Sequence, residues 1–172
     1  MAESPEIPEA KDPFEKKVAF SIAVIAVALA IFGAQGEKHK TEAIINTSKA
    51  SSKWAYFQSK SVKQQLVRQA GDSLALTAPP SPEVTKKVEE LKQESERYEK
   101  EKDGIQEKAV ELEKEAAHDL KVHEKFHLSE VLLQLGVVLS SIAILSRQHA
   151  VWFGGLALGA VGLVLGVLAF LA

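Results

Sequence analysis

The chain has 172 residues, of which 46% are hydrophobic and 26% charged, with a formal net charge of −2 at pH 7. The absence of cysteine excludes disulfide bonds, thiolate metal sites and cysteine nucleophiles, and the near-neutral charge provides no general attraction to nucleic acid. Nearly all the charge lies in the N-terminal tail and between Glu37 and Glu130, which leaves long uncharged segments elsewhere.

The first uncharged segment, residues 18–36, follows an acidic tail formed by residues 1–17. About 20 apolar residues are needed for a helix to cross the ~30 Å hydrocarbon core of a membrane. A cleaved signal peptide is the alternative, but Ala34-Gln35-Gly36 is a poor match to a small-x-small cleavage site. The segment therefore predicts an uncleaved first transmembrane helix.

Two further uncharged segments, residues 131–146 and 150–172, predict the second and third transmembrane helices. The short connection through Gln148 predicts an antiparallel pair. Within these boundaries the three spans contain no Asp, Glu, Lys, Arg or His, which disfavours a transporter or a channel gated by charged residues.

Small residues recur at heptad spacing in each span and predict helix–helix packing, since they let two backbones approach closely in lipid. Small residues are also common in membrane helices generally, and the spacing leaves open whether the stripes meet within one chain or between chains. The candidates are Ala19, Ala23, Ala26, Ala30 and Gly33 in the first span, Gly136, Ser140 and Ala143 in the second, and Gly155, Gly159, Gly162 and Gly166 in the third.

The charged region, residues 37–130, predicts an extramembrane antiparallel helical hairpin of coiled-coil type with its turn at residues 77–82. Ser81 before Pro82 is typical of a helix N-cap. Residues 37–76 contain seven Lys or Arg against three acids, and residues 83–127 contain ten against fourteen, so the two arms carry opposite net charges.

The two arms differ in their apolar pattern. A heptad series that includes Val84, Leu91 and Ile105 predicts the seam of the second arm. The first arm has a looser apolar face, which is formed by Ile44, Ala55, Val62 and Leu66.

An aromatic cluster, Trp54, Tyr56 and Phe57, lies in the first arm and surrounds one helical turn. One helix–helix contact cannot cover all of it, so the cluster predicts a contact with a partner protein or another subunit. The alternative is the membrane interface, where Trp and Tyr accumulate.

The segment His123-Glu124-Lys125-Phe126-His127 matches the H-E-x-x-H pattern, in which two histidines bind zinc and the glutamate activates water. A third ligand is required, and His118 is five residues from His123, at a diverging helix angle. We expect a polar collar near the lipid headgroups, with no metal, no cofactor and no enzymatic activity. A membrane zinc hydrolase is the remote alternative.

Local sequences also carry a family resemblance. They are the Glu15-Lys16-Lys17 flank, Thr41-Glu42-Ala43, Trp54-Ala-Tyr-Phe-Gln-Ser-Lys-Ser61, a histidine-bearing stretch before the second span and a Gly-rich third span. With these features the chain resembles an uncharacterised bacterial family of small three-span membrane proteins, known as a domain of unknown function. The resemblance implies architecture and a bacterial membrane setting, and no activity.

The function that these patterns predict is that of a homo-oligomeric membrane scaffold or interaction protein in the bacterial inner membrane. Its expected partners are the lipid bilayer, further copies of itself and a protein bound by the hairpin. The positive-inside rule favours a cytoplasmic N-terminus because of Lys11, Lys16, Lys17 and Arg147, although lysines near the membrane-proximal ends of the hairpin oppose it. The alternative function is an oligomeric channel or pore.

Overall fold

The computed structural model describes residues 12–171, which form three α-helices and no strand. Helix α1 spans Pro13–Thr77, α2 spans Pro82–Ser146 and α3 spans His149–Ala169. The all-α prediction is confirmed. Most of the predicted acidic tail, residues 1–11, and the last residue of the predicted third span, Ala172, lie outside the described residues.

Side chains at the helix starts satisfy backbone donors that have no partner within the helix. The Phe14 amide donates to Asp12 Oδ1 (2.9 Å) at the start of α1, and the Val84 amide donates to Ser81 Oγ (3.2 Å) at the start of α2. Ser81 therefore acts as the N-cap that its position before Pro82 predicts. Between α2 and α3 the chain reverses through Arg147, whose φ of 53° is left-handed.

Each of the three helices contains a segment long and apolar enough to cross a membrane, judged by length and composition. This is consistent with a multi-pass membrane protein. The long helices α1 and α2 continue beyond their apolar segments without a break at the predicted boundaries of the spans.

The chain divides into two compact units. The apolar unit combines the chain up to Thr41 with the chain from Asp119 onward, and so contains parts of α1 and α2 together with α3. The charged unit comprises Glu42–His118 and contains the remaining parts of α1 and α2. The core of the apolar unit is formed by Ile25, Phe32, Val122, Phe126, Leu133 and Ala169.

In the charged unit the predicted seam of α2 is directed inward, since its members are buried or half-buried while the residues between them are largely exposed. The prediction of the buried face of α1 is wrong. Ile44, Val62 and Leu66 are 62%, 55% and 61% exposed, whereas Ala43, Ala50 and Gly71 are buried. Small residues line this seam on both helices and contribute little to a hydrophobicity pattern, which explains the error.

Candidate interaction surfaces

A close backbone-to-backbone contact in the apolar unit joins the small-residue stripes of α2 and α3. A Cβ atom at Gly136 would lie 2.9 Å from the carbonyl oxygen of Gly155 and 3.1 Å from the amide nitrogen of Gly159. A Cβ atom at Gly162 would lie 3.0 Å from the carbonyl oxygen of Ser129. Because the obstructing atoms are backbone, only glycine permits this approach. We call this contact the glycine seam.

Two serines are buried in the glycine seam with different hydrogen bonding. Ser129 Oγ donates to the Gly162 carbonyl oxygen at 2.6 Å, which links α2 to α3. Ser140 is fully buried, and its Oγ has no hydrogen-bond partner among the described residues. Ser129, which lies just outside the predicted second span, is thus the serine that joins the two helices through its hydroxyl.

The small-residue stripe of α1 takes no part in the glycine seam. Its four alanines are exposed, and Gly33 is half-buried. Helix α1 instead directs Val18, Ile25 and Phe32 into the unit, at 0%, 6% and 6% exposure. The predicted stripes of α2 and α3 therefore meet within the chain, while residues 12–171 leave the alanines of the α1 stripe uncovered.

The histidines of the H-E-x-x-H segment are arranged for packing within the apolar unit. His123 Nδ1 donates to the Gly36 carbonyl oxygen at 2.9 Å, and the His123 ring stacks on His127 with the ring centroids 5.9 Å apart. Among residues 12–171, no His, Asp or Glu joins both histidines in a group whose three ligand atoms all lie within 4.8 Å of one another. The geometry is that of a polar contact between α1 and α2.

A polar cluster, His127, Glu130 and Gln134, lies on the outer side of α2. Gln134 Nε2 donates to Glu130 Oε1 at 3.1 Å, and His127 Nδ1 lies 3.9 Å from Glu130 Oε2. The Glu130 carboxyl carbon is 3.8 Å from the position of a Cβ atom at Gly33. The sequence prediction placed Glu130 outside the second span. His127 and Gln134 lie about one helical turn before and after Glu130, and this spacing indicates a shared helix face that the prediction did not use.

The aromatic cluster of the charged unit forms a layer with lysines and acids of α2. Trp54 Nε1 donates to Glu113 Oε1 at 2.8 Å, and Lys102 Nζ lies 5.7 Å from the Phe57 ring centroid. Tyr56 is 50% exposed. The hairpin thus uses part of the cluster itself and leaves the Tyr56 ring accessible.

Comparison with known proteins adds one relationship. A family model described as a domain of unknown function, DUF4337, matches residues 14–172. The chain belongs to this family. The resemblance to an uncharacterised family is confirmed, over all three helices. No curated protein and no solved structure matches the chain significantly.

In this DUF4337 chain the best-defined ion pair of the charged unit joins Lys60 to Glu101. Lys60 also lies over the rings of Tyr56 and Tyr98, at 5.5 and 5.0 Å from their centroids. The hydrogen bond to Glu101 raises the pKa of Lys60, and the same bond lowers the pKa of Glu101. Both shifts favour the charged forms, so the pair stabilises the hairpin between the acidic and the basic extremes.

We expect Glu101→Gln to lower the melting temperature of the protein slightly at pH 7. A carboxyl with a lowered pKa contributes stability above its unfolded value, near 4.5, and that contribution disappears as the pH falls through the folded pKa. The difference between the wild type and the variant should therefore shrink below about pH 4. Thermal unfolding followed by circular dichroism from pH 7 to pH 3 measures it, and a difference that is constant over this range would contradict the assignment.

Proposed function

We propose that this DUF4337 protein is a homo-oligomeric membrane scaffold without catalytic activity. The observation that carries the proposal is the uncovered small-residue stripe of α1, formed by Ala19, Ala23, Ala26 and Ala30. The corresponding stripes of α2 and α3 are covered within the chain, by each other in the glycine seam and, at Gly159 and Gly166, by Ile25 and Phe32 of α1. A further copy is the simplest partner for the stripe that remains.

The physical basis is helix packing in lipid. Because lipid tails are as apolar as the side chains, burial of apolar area does not drive helices together inside a membrane. Close backbone approach does, through van der Waals contact, and alanine and glycine stripes permit it. A stripe of four alanines at alternating spacings of four and three residues matches the geometry of a packed helix pair.

The charged unit supports the same function with a second uncovered face of α1. This face has no charged member, although it belongs to a highly charged region. Its exposed residues are Ile44, Ser48, Ser51, Ala55, Ser59, Val62 and Leu66. Exposed aliphatic side chains on an uncharged face favour contact with another protein, so the hairpin is suited to bind a further copy or a partner protein beside the bilayer.

The proposed setting is the bacterial inner membrane, with three spans, an extramembrane hairpin and the N-terminus in the cytoplasm. The three apolar helices support the spans. Lys16, Lys17 and Arg147 support the orientation by the positive-inside rule. Arg147 Nη2 lies 3.8 Å from Glu15 Oε1, so both belong to the same end of the apolar unit.

The test is the mass of the purified protein in mild detergent, measured by light scattering with the detergent contribution subtracted. We expect a defined multiple of the 18.7 kDa chain. Ala26→Leu should weaken association by about 1–3 kcal/mol, because the larger side chain holds the backbones apart. At a fixed concentration the measured mass should then shift towards the monomer.

Ala160→Leu provides the matched control, since Ala160 is also exposed on an apolar helix but lies on α3. It should leave the mass unchanged. A wild-type protein that is monomeric at all concentrations would overturn the proposal. Equal dissociation of the two leucine variants would show that the stripe of α1 is not the contact.

A further inference from the structure

Glu130 lies on α2 at the same height in the apolar unit as an uncharged part of α3. Helix α3 and the residues after it carry no charge as far as Leu171. The Phe170 ring packs on Phe126 of α2, with the centroids 5.1 Å apart. Glu130 is one helical turn from Phe126, about 6 Å further towards the middle of the bundle.

A second contact between α2 and α3 gives the same alignment of the two helices. Ser129, the residue before Glu130, donates its hydroxyl to the Gly162 carbonyl oxygen at 2.6 Å. Gly162 lies within the apolar helix, seven residues before the end of α3. The apolar band therefore extends along α2 past the boundary that the sequence predicts, and it includes Glu130 and Gln134.

Residues 12–171 provide only some of the hydrogen-bond partners that the side chains of this polar cluster can take. Within residues 12–171, the contacts of the Glu130 carboxylate with Gln134 and His127 both come from α2. Helix α1 offers Gly33, which has no polar side chain. Glu130 is 33% exposed and His127 63% exposed. Ionisable groups at membrane depth are costly unless they are paired, and such groups commonly mark functional contacts.

We infer that the cluster His127–Glu130–Gln134 is the polar contact that fixes the register between two copies of this chain. It contains donors on His127 and Gln134 and acceptors on Glu130 and Gln134. The same cluster on a second copy is therefore its chemical complement across a two-fold axis, which places matching groups opposite each other. Hydrogen bonds of this kind hold membrane helices together.

The position of the cluster agrees with the proposed scaffold, on which this inference rests. Gly33 is the last member of the α1 stripe, and a Cβ atom there would lie 3.8 Å from the Glu130 carboxyl carbon. The uncovered alanines and the polar cluster thus adjoin each other on one side of the apolar unit. A second copy that packs on the stripe reaches the cluster, where the alanines permit the approach and the polar groups define the register.

Cross-linking of the full chain in membranes tests the contact, because the protein has no cysteine of its own. Gln134→Cys should form a disulfide-linked dimer on mild oxidation. Val161→Cys is the control, since Val161 is 51% exposed on α3, away from the cluster. We expect no cross-link from it under the same conditions.

Association measured in mild detergent supplies the second readout. Gln134→Leu and Glu130→Leu should each weaken it roughly three- to tenfold, the range for interhelical hydrogen bonds. Glu130→Gln keeps an acceptor and adds a donor, so it should weaken association less than Glu130→Leu. Unchanged thermal unfolding of the Gln134→Leu monomer shows that the fold is retained.

The outcomes separate this inference from the proposed scaffold. An oligomer that persists at wild-type strength in both leucine variants, with no disulfide at position 134, overturns the inference and leaves the scaffold in place. A monomeric wild type overturns both. A cross-link at position 134 with weakened leucine variants establishes the contact.

Discussion

Replacing Gly155 by alanine should destabilise the apolar unit by about 1–3 kcal/mol more than the same replacement of its neighbour Gly154. A Cβ atom at Gly155 would lie 2.6 Å from Ser140 Oγ, 2.9 Å from the Gly136 carbonyl oxygen and 3.0 Å from the Ser140 amide nitrogen. Two of these atoms are backbone and cannot rotate away. The methyl group therefore has to push α2 and α3 apart.

Gly154→Ala is the matched control, because a Cβ atom there meets nothing within 4 Å. Both variants gain the same helix propensity, up to about 1 kcal/mol, so the difference between them isolates the packing at the glycine seam. Unfolding in mild detergent by added denaturing detergent, followed by circular dichroism, measures both. Equal stability of the two variants would mean that the helices do not approach as closely as described.

The sequence predicted the small-residue stripes that form the glycine seam and did not predict which stripes meet. Heptad spacing shows that small residues share one face of a helix. In a membrane span, however, the remaining faces are apolar too, so hydrophobicity does not distinguish the inside of a bundle from the lipid. In α1 the large side chains of Ile25 and Phe32 fill the core, and the alanines lie on the exposed side of the helix.

The charged unit shows the converse problem. Large aliphatic residues usually indicate the buried face, yet Val62 and Leu66 are exposed in α1 and Ala50 is buried. Small residues at a seam allow close packing but contribute little to a hydrophobic pattern. In α2, where valine, leucine and isoleucine share the seam with small residues, the same reasoning predicted the inward face correctly.

The polar cluster at Glu130 was missed for a third reason. The sequence placed the second span at residues 131–146, where no charge occurs, and treated Glu130 as a residue at its edge that can reach the membrane surface. Only the alignment of α2 with α3, through Phe126 and Gly162, shows that Glu130 lies at the same height as an apolar part of α3. That alignment is tertiary information, and no local pattern contains it.

The largest single-residue effect in the apolar unit is expected at Phe126. Its side chain is 1% exposed, and its ring lies 6.2 Å from Phe32 of α1 and 5.1 Å from Phe170 at the end of α3. It also stacks on His39, at 6.0 Å. One ring thus joins parts of all three helices, so its loss opens a cavity where they meet.

Phe126→Ala should therefore destabilise the unit by about 3–5 kcal/mol, the usual cost of removing a buried phenyl ring. Phe153→Ala removes the same atoms from a side chain that is 60% exposed, and should cost far less. The denaturing-detergent titration used for the glycine variants compares them directly. If both substitutions cost the same, the Phe126 ring is not the junction of the three helices, because an exposed ring leaves no cavity when it is removed.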